Sequence, residues 1–212
     1  MQAISMVDRY LTARCFFFRW RCSLTLINKF WVAACMACVT GLLALIRVPL
    51  PFTPIPITGQ VLGVLLSGVV CGGLFGSVSQ IIYVGVGIAA GIPWFAGGAA
   101  YSAGVFFQPT GGYLIGFIVA PFVIGWYTDR HVSARSFLSQ VKLMMMGIGI
   151  IYLFGTVVLL LVTGLSLLKV LLMGVVPFIL IDLVKAFVAA GVSFSVLPKV
   201  SYNGEVDRTG ED

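Results

Sequence analysis

From residue 48 to residue 128 the chain runs 81 residues without an Asp, Glu, Lys, Arg or His. A water-soluble domain carries charge at about a quarter of its positions, so no folded surface in water can be built from such a stretch. The whole chain of 212 residues holds 9% charged residues against 60% hydrophobic ones, and its mean hydropathy is +1.09. The solvent around most of it is lipid. The same stretch carries glycine and proline in blocks, PFTPIPITGQ, GIPWFAGG and QPTGGYLIGF, which interrupt plain spanning helix.

About 20 apolar residues cross a bilayer core as one helix, fewer where local packing or tilt allows. Six segments qualify: 28–46, 59–71, 74–90, 112–127, 143–163 and 167–197. The expected fold is an all-α membrane protein with six transmembrane helices. An even number of spans places both termini on one side. With both in the cytoplasm, Arg9, Arg14, Arg19, Arg21, Lys29, Arg130, Arg135, Lys142, Lys199 and Arg208 fall inside. Only Arg47 and Lys169 then fall outside, and Lys185 lies within the membrane. That asymmetry obeys the positive-inside rule, whereas a five-span arrangement puts one basic terminus on the wrong side. The expected organisation is a basic, aromatic extension over 1–27, a six-helix domain over 28–197 and a polar cytoplasmic tail over 198–212. The extension gathers Arg9, Arg14, Arg19 and Arg21 around Phe16, Phe17, Phe18 and Trp20. It reads either as a segment lying at the lipid headgroups or as a poorly ordered extension from an early start codon, without the pattern of a cleaved signal.

Several function classes drop out. The net charge of +6 is dispersed over separate polar segments, which fits membrane asymmetry and not a nucleic-acid surface. The cysteines, Cys15, Cys22, Cys35, Cys38 and Cys71, have no histidine near enough to complete a zinc site. Cys35 and Cys38 have CxxC spacing, but on a membrane helix they are two small residues on one face, and the structural reading wins. GGLFG at 72–76 lacks the lysine and the context of a phosphate loop. No nucleophile with a base, metal cluster or nucleotide motif is present, so the chain reads as a non-enzyme without a bound cofactor. If it works in ATP-driven transport, the ATPase is another chain.

The binding chemistry concentrates in two places. In the loop from Leu50 to Gln60, Pro51, Pro54 and Pro56 forbid continuous helix, and such backbone at membrane depth is tolerated only inside protein or along a polar cavity. The loop from Gly91 to Gly112 offers Trp94 and Phe95 as flat walls and Gly97 and Gly98 for close approach of backbone to a ligand; Trp94 also fits an interfacial anchor. In the sixth segment Asp182 and Lys185 sit three apart and face one side. Charges at membrane depth cost several kcal/mol, on the order of 3 or more each, and usually mark a substrate or ion path, although a self-neutralising structural pair is the alternative. Pro177 is expected to bend that helix. The resulting pocket, with Asp182 as an acceptor, Lys185 as a cation and Gln60, Thr58 and Tyr83 as neutral donors, suits a small, mostly neutral ligand with hydrogen-bonding groups and at most one carboxylate.

On the first helix Ala33, Ala37 and Gly41 recur every four residues. Small residues permit close helix contact, either with helices of the same subunit or with a separate membrane protein.

In these blocks the chain resembles the BioY proteins, the biotin-specific substrate-binding S components of energy-coupling factor (ECF) transporters. PLPFTPIPITGQ, GIPWFAGG, PTGGYLIGF and DLVKAFVAAG occur in that family's order and spacing across residues 28–197. The resemblance implies a six-helix S component in a bacterial inner (cytoplasmic) membrane. It implies a biotin pocket near the outer face, capped by the loops after the first and third helices. It implies docking through small residues of the first helix, here Ala33, Ala37 and Gly41, onto a transmembrane coupling subunit driven by two cytoplasmic ATPases that use ATP. Asp182 and Lys185 match the family's pair in the last helix, and Gln60 matches the glutamine that closes the proline-rich motif. The chain departs from some relatives in having Ala99 where they carry asparagine, and Gly59 before Gln60 where leucine is usual. An S component for another vitamin or small metabolite, and a membrane scaffold whose acid–base pair only packs, are the competing readings.

Overall fold

The computed structural model describes Phe17, residues 20–92, Trp94 and Phe95, and residues 103–198. Expectations for most of the 1–27 extension, for Gly98 and Ala99, and for the tail after residue 198 fall outside the described residues. The helices are α1 (Leu26–Leu45), α2 (Gln60–Cys71), α3 (Gly73–Ala89), α4 (Gly111–Arg130), α5 (Phe137–Thr163), α6 (Leu167–Gly174) and α7 (Ile179–Val196). A short antiparallel ribbon, β1 (Arg47–Val48) with β2 (Ile57–Thr58), pinches the base of the proline-rich loop and pairs Arg47 with Thr58.

A helix occupies each of the six segments expected from hydropathy, with two differences. α5 begins at Phe137 rather than near residue 143, because the Ser136 hydroxyl accepts from the Ser139 N–H at 3.3 Å and caps the first turn. The sixth segment is not one helix but α6 and α7, separated by a 3-10 turn over Val176–Phe178. α1, α4, α5 and the run Leu167–Val196 are long and apolar enough to cross a membrane, while α2 and α3, of 12 and 17 residues, are shorter apolar helices. Large side chains such as Leu153, Leu161, Leu168 and Leu180 point outward, as they do when the surrounding medium is hydrocarbon. The chain is an all-α, multi-pass membrane protein.

α4 is the central element: 61% of its apolar window is buried, against 22–28% for the other long spans. It packs against α2, α3 and α5, while α7 closes the far side against α5 and α2. Where α2, α3 and α4 cross, a Cβ on Gly68 would lie 2.8 Å from the Pro121 carbonyl, and one on Gly76 would lie 3.0 Å from Gly68 Cα. The backbones therefore touch directly, which maximises the dispersion contact that holds helices together in lipid. Gly72 makes the turn between α2 and α3 with φ of +80°, a conformation that costs other residues a clash. Gln80 of α3 pins the core, its amide nitrogen lying 3.1–3.3 Å from the hydroxyl oxygens of Thr40, Ser67 and Ser79.

The small-residue stripe of α1 is inside the subunit. Ala33 and Ala37 are 0% and 1% exposed, and Gly41 is buried with them, because α2 and α3 pack on this face. The expectation that Ala33, Ala37 and Gly41 present a docking surface is therefore corrected: their small size serves internal helix contact. The charged segment after α4 also differs from a plain surface loop. Arg135 is 1% exposed, and it donates to the carbonyls of Thr128 (3.1 Å) and Asp129 (3.3 Å), capping the end of α4. The Asp129 carboxylate pairs with Arg21, whose second nitrogen donates to the Val69 carbonyl at 2.7 Å.

Candidate functional site

The end of the bundle opposite Arg21 and Arg135 holds a cavity. It forms where the proline-rich loop, the starts of α2, α4 and α7, and the later half of α5 converge. Its atom-free volume, mouth included, is about 570 Å³. Most of the wall is apolar or aromatic, with Ile55, Phe95, Leu114, Phe117 and Phe178, and the polar groups gather on one side.

That polar side is built by the break in the sixth span. Pro177 has no N–H, so the Met173 carbonyl loses its helical donor four residues on. The Phe178 N–H turns to the Val175 carbonyl instead, at 3.0 Å, and leaves the Gly174 carbonyl unpaired as well. Two hydroxyls from elsewhere take over: Thr53 of the proline-rich loop donates to Met173 at 2.8 Å, and Tyr113 of α4 donates to Gly174 at 2.7 Å. Buried carbonyls without such partners each cost about 1–3 kcal/mol, so these contacts let the chain resume as α7 within the membrane.

α7 then carries Asp182 and Lys185 into the cavity wall. The Lys185 ammonium donates to Asp182 Oδ1 at 2.6 Å and to the Thr58 carbonyl at 2.6 Å. Tyr152 of α5 donates to Asp182 Oδ2 at 2.7 Å. The side chains of Lys185 and Asp182 are 13% and 5% exposed, so the pair is nearly dry and neutral as a unit. One ammonium hydrogen is uncommitted among the described residues, and each carboxylate oxygen keeps lone-pair capacity. The site therefore offers a donor and an acceptor side by side with no net charge.

The sequence-predicted residues divide into three groups. Asp182, Lys185, Gln60 and Phe95 line the cavity. Tyr83 lies one layer behind it, fully buried; it accepts from Gln60 Nε2 and donates to the Trp94 carbonyl at 2.8 Å. With Thr58 donating to Gln60 Oε1 at 2.9 Å, the Gln60 amide is held from both ends. Trp94 is not among the residues that line the cavity. Its indole fills the space left by Gly41 of α1 and Gly87 of α3, where any Cβ would overlap the ring. Gly98 lies outside the described residues. Sequence reasoning missed Tyr113 and Tyr152, which line the cavity as well; each stands alone in an apolar run, and its acceptor on another helix is invisible in one dimension.

The family model described as the BioY family matches residues 18–202. This chain belongs to the BioY family. The probable biotin transporter BioY of Methanothermobacter thermautotrophicus is 42% identical over 156 residues, which cover 67% of this chain and 94% of that one. The biotin transporter BioY of Rhizobium etli is 38% identical over 160 residues, covering 73% of this chain and 84% of that one. Among solved structures, the 2.1 Å crystal structure of the S-component for biotin from an ECF-type ABC transporter is similar, with a TM-score of 0.72. At 23% identity it covers 81% of this chain and 93% of its own, and it establishes for this BioY chain the S-component fold.

Proposed function

We propose that this BioY chain is the biotin-binding membrane component of an ECF-type uptake system, capturing biotin at the outer face and delivering it inward. The observation that carries the reading is the neutral, nearly dry Asp182–Lys185 pair at the polar side of an otherwise apolar cavity. Biotin is a compact bicycle whose ureido group has two N–H donors and one carbonyl acceptor, joined to an apolar chain. A site with adjacent donor and acceptor, no net charge and aromatic walls is complementary to that chemistry.

In this reading all six helical segments cross the membrane, with the shorter α2 and α3 tilted or locally packed, and both termini are cytoplasmic. The bases at the Arg21–Arg135 end then lie inside and the cavity faces out. The chain works without catalysis of its own in the cytoplasmic membrane. A transmembrane coupling subunit and two ATPases supply the energy, and they dock on a face other than the buried Ala33–Ala37–Gly41 stripe. Within the site, Asp182, Lys185 and Gln60 contact biotin directly, Phe95 forms part of the apolar wall, and Tyr83 ties Gln60 to the Trp94 backbone from behind.

Equilibrium binding of biotin to detergent-purified, folded protein tests the reading. Binding well below micromolar biotin is the expected result, and no detectable binding at micromolar biotin overturns it. Displacement of labelled biotin by riboflavin or thiamine at comparable concentrations would instead assign the site to another vitamin.

A further inference from the structure

Tyr152 is marked out by two independent features. Its hydroxyl is the partner of Asp182 Oδ2, at 2.7 Å. Its ring also belongs to two walls at once: one side faces the cavity, and the other faces an apolar groove lined by Met145, Ile148, Val175, Ile179 and Leu183. That groove lies on the outer surface between α5 and the break of the sixth span, where the surrounding medium is hydrocarbon. Nothing on that side can replace the hydroxyl as a donor.

The carboxylate of Asp182 is held at its other oxygen by Lys185, one turn along the same helix. A single contact leaves the group free to turn about Cβ–Cγ, where the torsional preference is broad. The second contact comes from α5 and fixes the plane. We infer that Tyr152 is a positioning residue for the ligand: it orients the Asp182 carboxylate so that its remaining lone pairs meet the ligand's N–H donors. Its ring meanwhile closes the cavity sideways against lipid. The inference rests on the biotin-binding function proposed above.

Tyr152→Phe keeps the ring and the wall and removes only the donor, while Tyr127→Phe removes a half-exposed hydroxyl at the opposite end of the bundle, near the end of α4. Biotin affinity is measured by titration calorimetry for both, for Asp182→Asn and for the Tyr152→Phe/Asp182→Asn double variant. Tyr152→Phe is expected to weaken biotin about tenfold, the scale of a lost hydrogen bond to a charged group, and Tyr127→Phe less than twofold. The double variant is expected to bind no worse than Asp182→Asn alone, since a positioning residue loses its effect when its target is gone. Tyr152→Phe binding within twofold of wild type overturns the inference, as does an equal loss in Tyr127→Phe, or full additivity in the double variant. If Asp182→Asn binds too weakly to titrate, the tyrosine pair decides alone. Wild-type protein that binds no biotin overturns the functional reading and this inference together; wild-type binding with an unaffected Tyr152→Phe overturns this inference only.

Discussion

Lys185→Met tests whether the buried pair is an energetic unit. The substitution keeps the length of the stem and deletes the ammonium, so Asp182 retains Tyr152 as its donor and the Thr58 carbonyl loses Lys185. At 2.6 Å the attraction within the pair is about 6 kcal/mol for an effective dielectric near 20. Desolvation offsets much of that, and breaking a buried pair from one side costs about 3–5 kcal/mol net. For a chain of this size each kcal/mol moves the melting point roughly 2–4 °C, so Lys185→Met is expected to melt on the order of 10 °C below wild type. Asp182→Leu with Lys185→Met removes both charges and should recover the part of the loss that comes from the unpaired carboxylate. The Thr58 carbonyl stays stranded as in the single variant, and the Tyr152 hydroxyl joins it, each at about 1–3 kcal/mol. Biotin binding should be lost in the single and the double variant alike. Thermal unfolding followed by helical circular dichroism in detergent, paired with biotin titration, reads both quantities. A Lys185→Met protein melting within 2 °C of wild type refutes the reasoning, as does a double variant less stable than the single.

Thr53→Val removes the donor to the Met173 carbonyl; it should cost about 1–3 kcal/mol and speed the dissociation of labelled biotin, and an unchanged off-rate in a stopped-flow chase counts against the tether. Gly41→Val drives a side chain into the Trp94 indole, so it should shift tryptophan emission to the red and destabilise by about 1–3 kcal/mol; identical emission means the ring is not seated there. Ala37→Leu overpacks a position that is 1% exposed and should lower the melting point, whereas Cys38→Leu, on the exposed side of α1, should not; the reverse order would turn the stripe outward again.

What was legible in the sequence followed from local rules. The uncharged run announced lipid, hydropathy located six helical segments, and the spacing of Asp182 and Lys185 put them on one helix face. Pro177 announced a distortion. The missing pieces all depend on which helix lies beside which. A stripe of small residues says that something approaches closely, and Ala33, Ala37 and Gly41 look the same whether that is α3 or another protein. Trp94 reads as wall, anchor or wedge until Gly41 and Gly87 are seen on either side of it. Tyr152 is one polar atom in an apolar span, and only the packing of α5 on α7 brings it to a carboxylate.

The proline-rich loop shows why these pieces belong together. It contributes Thr53 to the broken span and the Thr58 carbonyl to Lys185, so it is fastened to the sixth span at two points on either side of the residues that line the cavity. Lys185 is shared: the same ammonium that faces the ligand also holds the loop. A ligand acceptor that reaches it either uses the uncommitted hydrogen, adding a contact to a loop already in place, or displaces Thr58 and loosens the loop. In the first case loop closure and binding favour each other, and linkage requires the coupling to be equal in both directions. A loop-loosening change such as Thr53→Val then weakens biotin by the same factor by which biotin tightens the loop. In the second case the sign reverses, and Thr53→Val strengthens binding. The geometry, with a hydrogen to spare on Lys185 and an intact contact to Thr58, selects the first.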